Sequence, residues 1–476
     1  MQGNNIASKI PLIGKLTGAA WPRAAKNLPG PGGLPFLGLG PEMVRDSLGL
    51  ISRLQSSYGD IVSMPLPGMR SVLVCDPDLI RQALLKTEAG FGKSKLYQRM
   101  ERIFGKGMVT SEGETWKKQR QTLNPAFLQK SVISYTNLIH DEFNRINKIL
   151  RHPNEPFPLK LYMTDISFRI LLRAFFPGCP ESSARDLRDA FDTISEFALG
   201  LMWNIWTPPT FLPTPKNIRY RKASSLLNHF MDSEIARKSE ETNSSTHDII
   251  KLLLSVKGED GAPAFTRKHI RDQILTILFA GHDTTANTLT FALWLLASNP
   301  DITSRLRDQI KGQCGTDPVT HTELRQLSYL DQIVQEAMRL YPTAWMINRV
   351  NQKPLAYKGY EFEPGTTFFL PQFLVHRHPE HWEKPEDFWP DHFSPDRVQK
   401  RHKAAFFPFA AGSRNCIGLH LATMELKIII AELVRRYDLR PADESKPKLT
   451  ASITMFPASE INLRMIPLQN TGASGV

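Results

Sequence analysis

Apolar and polar positions divide the chain into a mixed front, a long helical middle and a mixed end. Apolar residues recurring every three to four positions predict a helix over Met43 to Tyr58. The stretch YGDIVSMPLPGMRSVLVCDPDLI then reads as two short strands around a Pro-Gly turn, with Asp76 or Pro77 opening another helix. From Glu112 to Asn299 the period is mostly helical, broken at Arg151 to Pro158, Pro177 to Ser182, Trp206 to Lys216 and Val256 to Pro263. The longest helix is expected from an N-cap at Thr266 to about Ser298, before Pro300 stops it. At about 1.5 Å per residue it crosses roughly 50 Å, the width of a domain, and so acts as a central strut. Alternation returns between Trp345 and Leu370 around a Lys358-Gly359 turn, a last helix covers Leu419 to about Tyr437, and strands follow. The layout is mainly α with a minor β portion interleaved at both ends, which favours one large fold over separate modules.

Residues 1–40 hold no acidic side chain, and their apolar runs are far shorter than the roughly 20 residues of a membrane span. Residues 1–27 are therefore expected to be an extension without a transmembrane helix, either a loose leader or a weakly surface-associating or targeting segment. LPGPGGLPFLG, from Leu28, reads as a lead-in, with the fold proper starting near Pro41.

Composition narrows the function classes. With 41% hydrophobic and 22% charged residues, the 476-residue chain has an ordinary globular balance and ample material for a core. Its four cysteines, Cys75, Cys179, Cys314 and Cys416, form no CxxC pair, which argues against a disulfide framework or structural zinc and points to a reducing compartment, the cytoplasm. The net charge of +12 suits nucleic acid, an anionic membrane or an acidic protein. The basic residues are dispersed and no nucleic-acid module appears, so no nucleic-acid partner is expected.

The chemistry gathers around FPFAAGSRNCIG, Phe407 to Gly418. A cysteine just before a helix meets free backbone N–H groups and the positive end of the helix dipole, so Cys416 is expected to be prone to the thiolate form that ligates iron. Gly412 and Gly418 allow turns and close approach, Phe409 can shield the sulfur, and Arg414 can offer a fork of donors to a carboxylate. The residue types alone equally allow a buried, inert cysteine.

Three further stretches matter. Ala280 and Thr284 share one face of the long helix, with Asp283 beside them. Small residues there admit a flat group, although a Thr284 bonded back to a carbonyl and a solvated Asp283 would give the same letters. Glu336 and Arg339 are spaced to pair, and Trp116 and Arg120 present an indole and a guanidinium on one helix face. His282 has no second histidine at i+4 and is expected to be a satisfied or exposed histidine rather than a metal ligand.

In order, Phe409, Gly412, Arg414, Cys416 and Gly418 match every defined position of Phe-x-x-Gly-x-Arg-x-Cys-x-Gly, and the string resembles the haem-binding signature of the cytochrome P450 family. Ala280-Gly-His-Asp283-Thr284 resembles its oxygen groove, and Glu336-Ala-Met-Arg339 its Glu-x-x-Arg pair. The resemblance runs from about Leu28 to the last strands and implies a cytochrome P450 fold over 28–476, a monomer with one haem b.

On that resemblance Cys416 is the axial ligand of the iron, and Ala280 and Gly418 lie against the haem. Trp116, Arg120, Arg349 and Arg414 bind the propionates, and Asp283 and Thr284 relay protons. Glu336 and Arg339 are structural, with a third contact from His392, where the family more often has arginine. The family's pocket would fall on Arg99 to Phe104, Ala198 to Trp206, Phe279, Ala280, Thr284, Ala344 to Ile347 and Ile453 to Met455, with Thr454 among them.

The implied activity is a monooxygenase that hydroxylates or epoxidises a lipophilic molecule such as a fatty acid, terpenoid or steroid. No Walker or Rossmann string is present. Electrons would come from NAD(P)H through a separate reductase, ferredoxin or flavodoxin. An acidic electron-transfer protein is expected to dock on a basic cysteine-side face made by Lys117, Lys118, Arg120, Arg401, His402, Lys403 and Lys427. Localisation is expected to be cytoplasmic, with peripheral membrane association as a variant. The rival readings are a peroxide-using or rearranging haem-thiolate enzyme, and a non-enzymatic haem sensor or electron carrier.

Overall fold

The computed structural model describes residues 24–468 except 35, 86–89, 149–154, 204–207, 242–247, 258–260, 316 and 444. Residues 1–23 of the N-terminal extension, and parts of the expected loops at Arg151 to Pro158, Trp206 to Lys216 and Val256 to Pro263, lie outside the described residues.

The long helix spans Arg267–Ala297, and the Thr266 side chain caps it by accepting from His269 N at 3.2 Å. From Asp272 to Ala297 every residue is buried except Ala280, Gly281, Asp283 and Thr284 at mid-length. At that gap Ala280, Gly281 and Thr284 face a cavity. Leu159–Phe175 and the C-terminal helix Leu419–Arg436 pack against this strut.

Strands from both ends of the chain form one sheet. Its order is Ile61–Ser63, Ser71–Val74, Thr367–Leu370, Ile347–Asn351, Phe91–Gly92, and the Ser71–Val74 to Thr367–Leu370 pair is parallel while the rest are antiparallel. Val72 pairs with Phe368 and both are fully buried, so the front cannot fold as a unit of its own. A hairpin turns at Lys358-Gly359 between Leu355–Tyr357 and Tyr360–Phe362. Lys358 and Gly359 both have positive φ, 46° and 80°, as a tight hairpin turn demands. Strand Asn462–Pro467 lies between Phe157–Pro158 and Tyr437–Pro441.

Two expectations need correction. The front helix is two helices, Gly40–Arg45 and Ser47–Tyr58, because the Asp46 side chain accepts from Gly49 N and caps a new start. The fold begins well before Pro41: Ala24, Ala25 and Leu28 are buried, and Ser63 N donates to Pro29 O at 2.7 Å. Gly30 is required in that lead-in, since a Cβ there would lie 2.4 Å from Ser63 O. Among the described residues, no helix is long and apolar enough to cross a membrane.

Candidate active site

The gap in the long helix opens onto a cavity of about 350 Å³. Ala280 and Thr284 form its wall on the helix side, and Phe409, Arg414, Cys416 and Gly418 form the wall opposite in sequence. Trp116 and Arg120 enter from helix Gly113–Phe127, Ala344 from the turn after Ser328–Leu340, and Ile347 and Arg349 from alternate positions of one strand.

The cysteine loop owes its shape to bonds within it and to close packing on Leu84 from the front of the chain. Cys416 N donates to Phe409 O at 2.9 Å, and Asn415 N donates to Gly412 O at 3.1 Å. Gly412 has φ +75°, and a Cβ there would meet Leu84 O at 2.5 Å, so only glycine fits. Gly418 differs from expectation: its φ is −79°, and an added Cβ would have only the Cys416 sulfur near it, at 3.8 Å. The backbone does not force a glycine there, but the residue lines the cavity.

Cys416 is exposed by surface area because it lines the cavity, although protein atoms pack densely around it. Burial pushes its thiol above the ordinary range, while the N–H groups of Gly418 and Leu419 and the charge of Arg120 pull it down. The expected tendency to thiolate is thus outweighed by desolvation in the protein alone. Hydrogen bonds are nonetheless in place for a sulfur anion once a cation lies beside it.

Cations with unmet hydrogen-bonding capacity line the cavity. Arg349 is 4% exposed, donates from Nη1 to Asn348 O, and has no partner for Nε. Arg414 lies 4.2 Å from the Trp116 ring, pairs with Glu112 at 3.1 Å, and has no partner for Nη1. Arg120 is bound to Asn415, at 2.8 Å to its carbonyl and 2.6 Å to its side-chain oxygen. A fourth cation was not anticipated. Lys93 lines the cavity, donates to Met108 O and Ser111 O, and is pushed down to about 7 by burial and by the positive charge of Arg414. A lone lysine in a loop carries no sequence signal, and only the fold brings it to the arginines. Buried cations with unmet donors call for an anion. Together with a thiol aimed inward and an apolar wall, they fit a flat iron porphyrin with two carboxylates.

Behind the cysteine loop, Glu336 and Arg339 are both fully buried and joined by two hydrogen bonds of 2.7 and 2.8 Å. The remaining Arg339 donors reach the carbonyls of His376, Pro385 and Asp387. His392 Nδ1 lies 3.0 Å from Glu336 Oε1, and its Nε2 contacts Glu383 O. Burial would raise the Glu336 carboxyl, but hydrogen bonds from Arg339 and His392 hold it below its usual range. His376, whose carbonyl Arg339 holds, also accepts at Nε2 from Phe407 N at 3.0 Å, which joins the network to the cysteine loop.

Four predicted site residues do not line the cavity: Asp283, Phe104, Phe279 and Thr454. The Phe104 and Phe279 rings are 4.1 Å apart between centroids, tilted by 32°, and both residues are buried outside the cavity lining. Thr454 accepts from Ser452 N, and its neighbour Met455 donates to Thr343 O on the cavity rim. Arg99 is an exposed helix residue. Of the expected Ala198 to Trp206 lining, 204–206 and the side chains of 199 and 201–203 lie outside the described residues.

Thr284 lines the cavity with its hydroxyl donating to Ala280 O at 2.7 Å. Asp283 projects to one side, 3.6 Å from His282 Nε2, and Asp192 lies 3.8 Å from the same nitrogen. His282 is neither exposed nor hydrogen-bonded: it is 1% exposed between the rings of Phe168 and Phe191, and neither ring nitrogen has a hydrogen-bond partner. Also unanticipated is Glu425, a cavity residue 2% exposed that accepts from Ser167 Oγ at 2.6 Å and is raised to about 8 by burial.

The basic face is narrower than expected. Lys427 is buried, donating to Leu324 O and pairing with Asp331, and Arg401 lies 3.8 Å from the Trp382 ring. Arg120 is turned inward to Asn415, and His402 is 3.2 Å from Asp78. Lys117, Lys118 and Lys403 remain at the surface.

A model of the cytochrome P450 family matches residues 28–465. Cyclooctat-9-en-7-ol 5-monooxygenase of Streptomyces melanosporofaciens is 29% identical over 86% of this chain and 89% of its own length. Pentalenene oxygenase of Streptomyces avermitilis is 28% identical over 91% and 96% respectively. Human cytochrome P450 4V2 is 28% identical over 75% and 72%. With the signature residues gathered around one cavity and this match along nearly the whole chain, the protein belongs to the cytochrome P450 family of haem monooxygenases.

Proposed function

We propose that this enzyme inserts one oxygen atom of O₂ into a lipophilic, terpenoid-type molecule, releasing the other as water and drawing two electrons from a separate reduced protein. The observation that carries the reading is the Cys416 thiol, backed by two N–H groups and facing Thr284 across a cavity edged with unsatisfied cations. Cys416 would hold the iron, with Trp116, Arg120, Arg349 and Arg414 at the propionates and Lys93 beside them. Bound there, haem supplies the O₂ activation that oxygen insertion requires.

The chain's own residues do the rest. Cys416 Sγ gives up its proton on ligation and keeps the hydrogen bonds from Gly418 and Leu419. Thr284 Oγ1, which donates to Ala280 O, can turn to hold a proton over the cavity. Asp283, with His282 and Asp192 beside it, replaces that proton from outside. Met108, Val109, Leu171, Ile277 and Ala344 exclude water from the substrate side. This apolar wall supports a hydrocarbon substrate, and cyclic terpenoid names recur among the relatives. Hydroxylation at a C–H bond and epoxidation at a double bond both satisfy the same stoichiometry.

The protein acts as a cytoplasmic monomer, or on a membrane surface through its front segment. An acidic ferredoxin, flavodoxin or reductase docks by way of surface lysines such as Lys117, Lys118 and Lys403, passing on electrons from NAD(P)H.

Purified protein reduced under carbon monoxide should show the absorption of a haem-thiolate, and lipophilic cyclic hydrocarbons should shift the haem spectrum of the resting protein. A colourless protein from haem-supplemented cells, or an unaltered spectrum in Cys416→Ala, would end this reading.

A further inference from the structure

On the far side of the Glu336 network, the turn His378-Pro-Glu-His381 brings two imidazoles and a carboxylate together. One ligand atom from each of His378, Glu380 and His381 lies within 4.8 Å of the others. The two histidine rings are 5.2 Å apart between centroids and inclined by 33°. His381 N donates to His378 O at 2.9 Å, closing the turn that sets this spacing.

The tautomer of His378 is set by its neighbours. Its Nδ1 accepts a long hydrogen bond of 3.3 Å from Glu380 N and its Nε2 lies 3.2 Å from Asp60 Oδ1, so the ring proton is on Nε2 and an ion ligated at Nδ1 takes the place of the long Glu380 bond. A carboxylate holding the far nitrogen of a histidine is the arrangement that orients imidazoles at metal centres and strengthens them as ligands. His378 is buried and held in place, His381 is half-buried, and Glu380 is exposed. One ligand is therefore fixed while the other two can adjust. About 2.0–2.1 Å from a tetrahedral ion, ligand atoms stand roughly 3.4 Å apart, which small rotations of Glu380 and His381 achieve.

We propose that His378, Glu380 and His381 form a binding site for a divalent transition-metal ion of the zinc type, with Asp60 positioning His378. Two nitrogens and one carboxylate oxygen suit zinc and disfavour calcium or magnesium, which take oxygen ligands. The fourth position falls to water. Nothing in this site touches the haem cavity, so it stands or falls independently of the proposed reaction.

The test is calorimetric titration of the untagged haem-loaded protein with zinc chloride. One equivalent of zinc is expected to bind to the wild type. His381→Ala and Glu380→Gln, both outside the core, are expected to lose this equivalent with the haem spectrum unchanged. Asp60→Asn should weaken binding on the order of 10- to 100-fold. A wild type that takes up no zinc, or a His381→Ala protein that binds it as the wild type does, would overturn the proposal.

Discussion

Arg339 grips both carboxylate oxygens of Glu336, at 2.7 and 2.8 Å, where neither residue reaches water. Its other donors end on the carbonyls of His376, Pro385 and Asp387, so one guanidinium fastens the segment leading to the cysteine loop onto the helix Ser328–Leu340. Removing either partner leaves an uncompensated buried charge. Glu336→Gln and Arg339→Met should each destabilise the fold by about 3–5 kcal/mol. Denaturant unfolding, or the yield of haem-bearing protein, will measure it; an unchanged midpoint would contradict the role.

Glu425 gives a dependence on pH. Its carboxyl is raised from an ordinary 4.5 to about 8 by burial, against the opposing hydrogen bond from Ser167. The folded state therefore binds more protons than the unfolded state between these values, and stability falls as pH rises through that window. Glu425→Gln, an isostere that cannot ionise, should flatten the decline between about pH 5 and 8. Unfolding midpoints of both proteins across that range are the measurement.

The unpartnered Arg349 Nε and Arg414 Nη1 predict that each arginine contributes a charge-assisted bond to a haem carboxylate. Such a bond is worth about 1.5–3 kcal/mol. Arg349→Leu and Arg414→Leu should then speed haem transfer to an acceptor apoprotein by roughly 10- to 100-fold. Lys93→Met is expected to act in the same direction, and equal transfer rates in all variants would remove the propionate assignment.

Thr284 is the one hydroxyl of the proposed relay that lines the cavity. Thr284→Val keeps the shape and loses the proton. Product formed per reductant consumed should fall on the order of 10²-fold, as loss of a positioned proton donor does, with substrate binding unchanged. Asp283→Asn should slow turnover and alter its solvent isotope effect, since this carboxylate sits to the side, near His282 and Asp192.

The mainly α layout, the Thr266 cap, the hairpin at Lys358-Gly359 and the cysteine ahead of the last helix were legible in the sequence because each depends on neighbours within a few positions. The Asp46 break is also local, but a single acid inside a periodic run is easily read through. Chain order could not show that Lys93 joins Arg349 and Arg414, that Asp60 reaches His378, or that Lys427 and Arg401 are withdrawn from the surface, because these partners lie far apart along the chain.

By itself the sequence determined residue chemistry at short range: a cysteine entering a helix, small residues and a threonine on one helix face, and an acid spaced to meet a base. Tertiary structure decided burial, and burial decides charge. The thiol that helix geometry favours as an anion is pushed the other way by desolvation in the chain without its haem, a lysine is brought near neutrality, and a glutamate is made a neutral acid. Removal from water is a property of the packed whole, which no local pattern of letters contains.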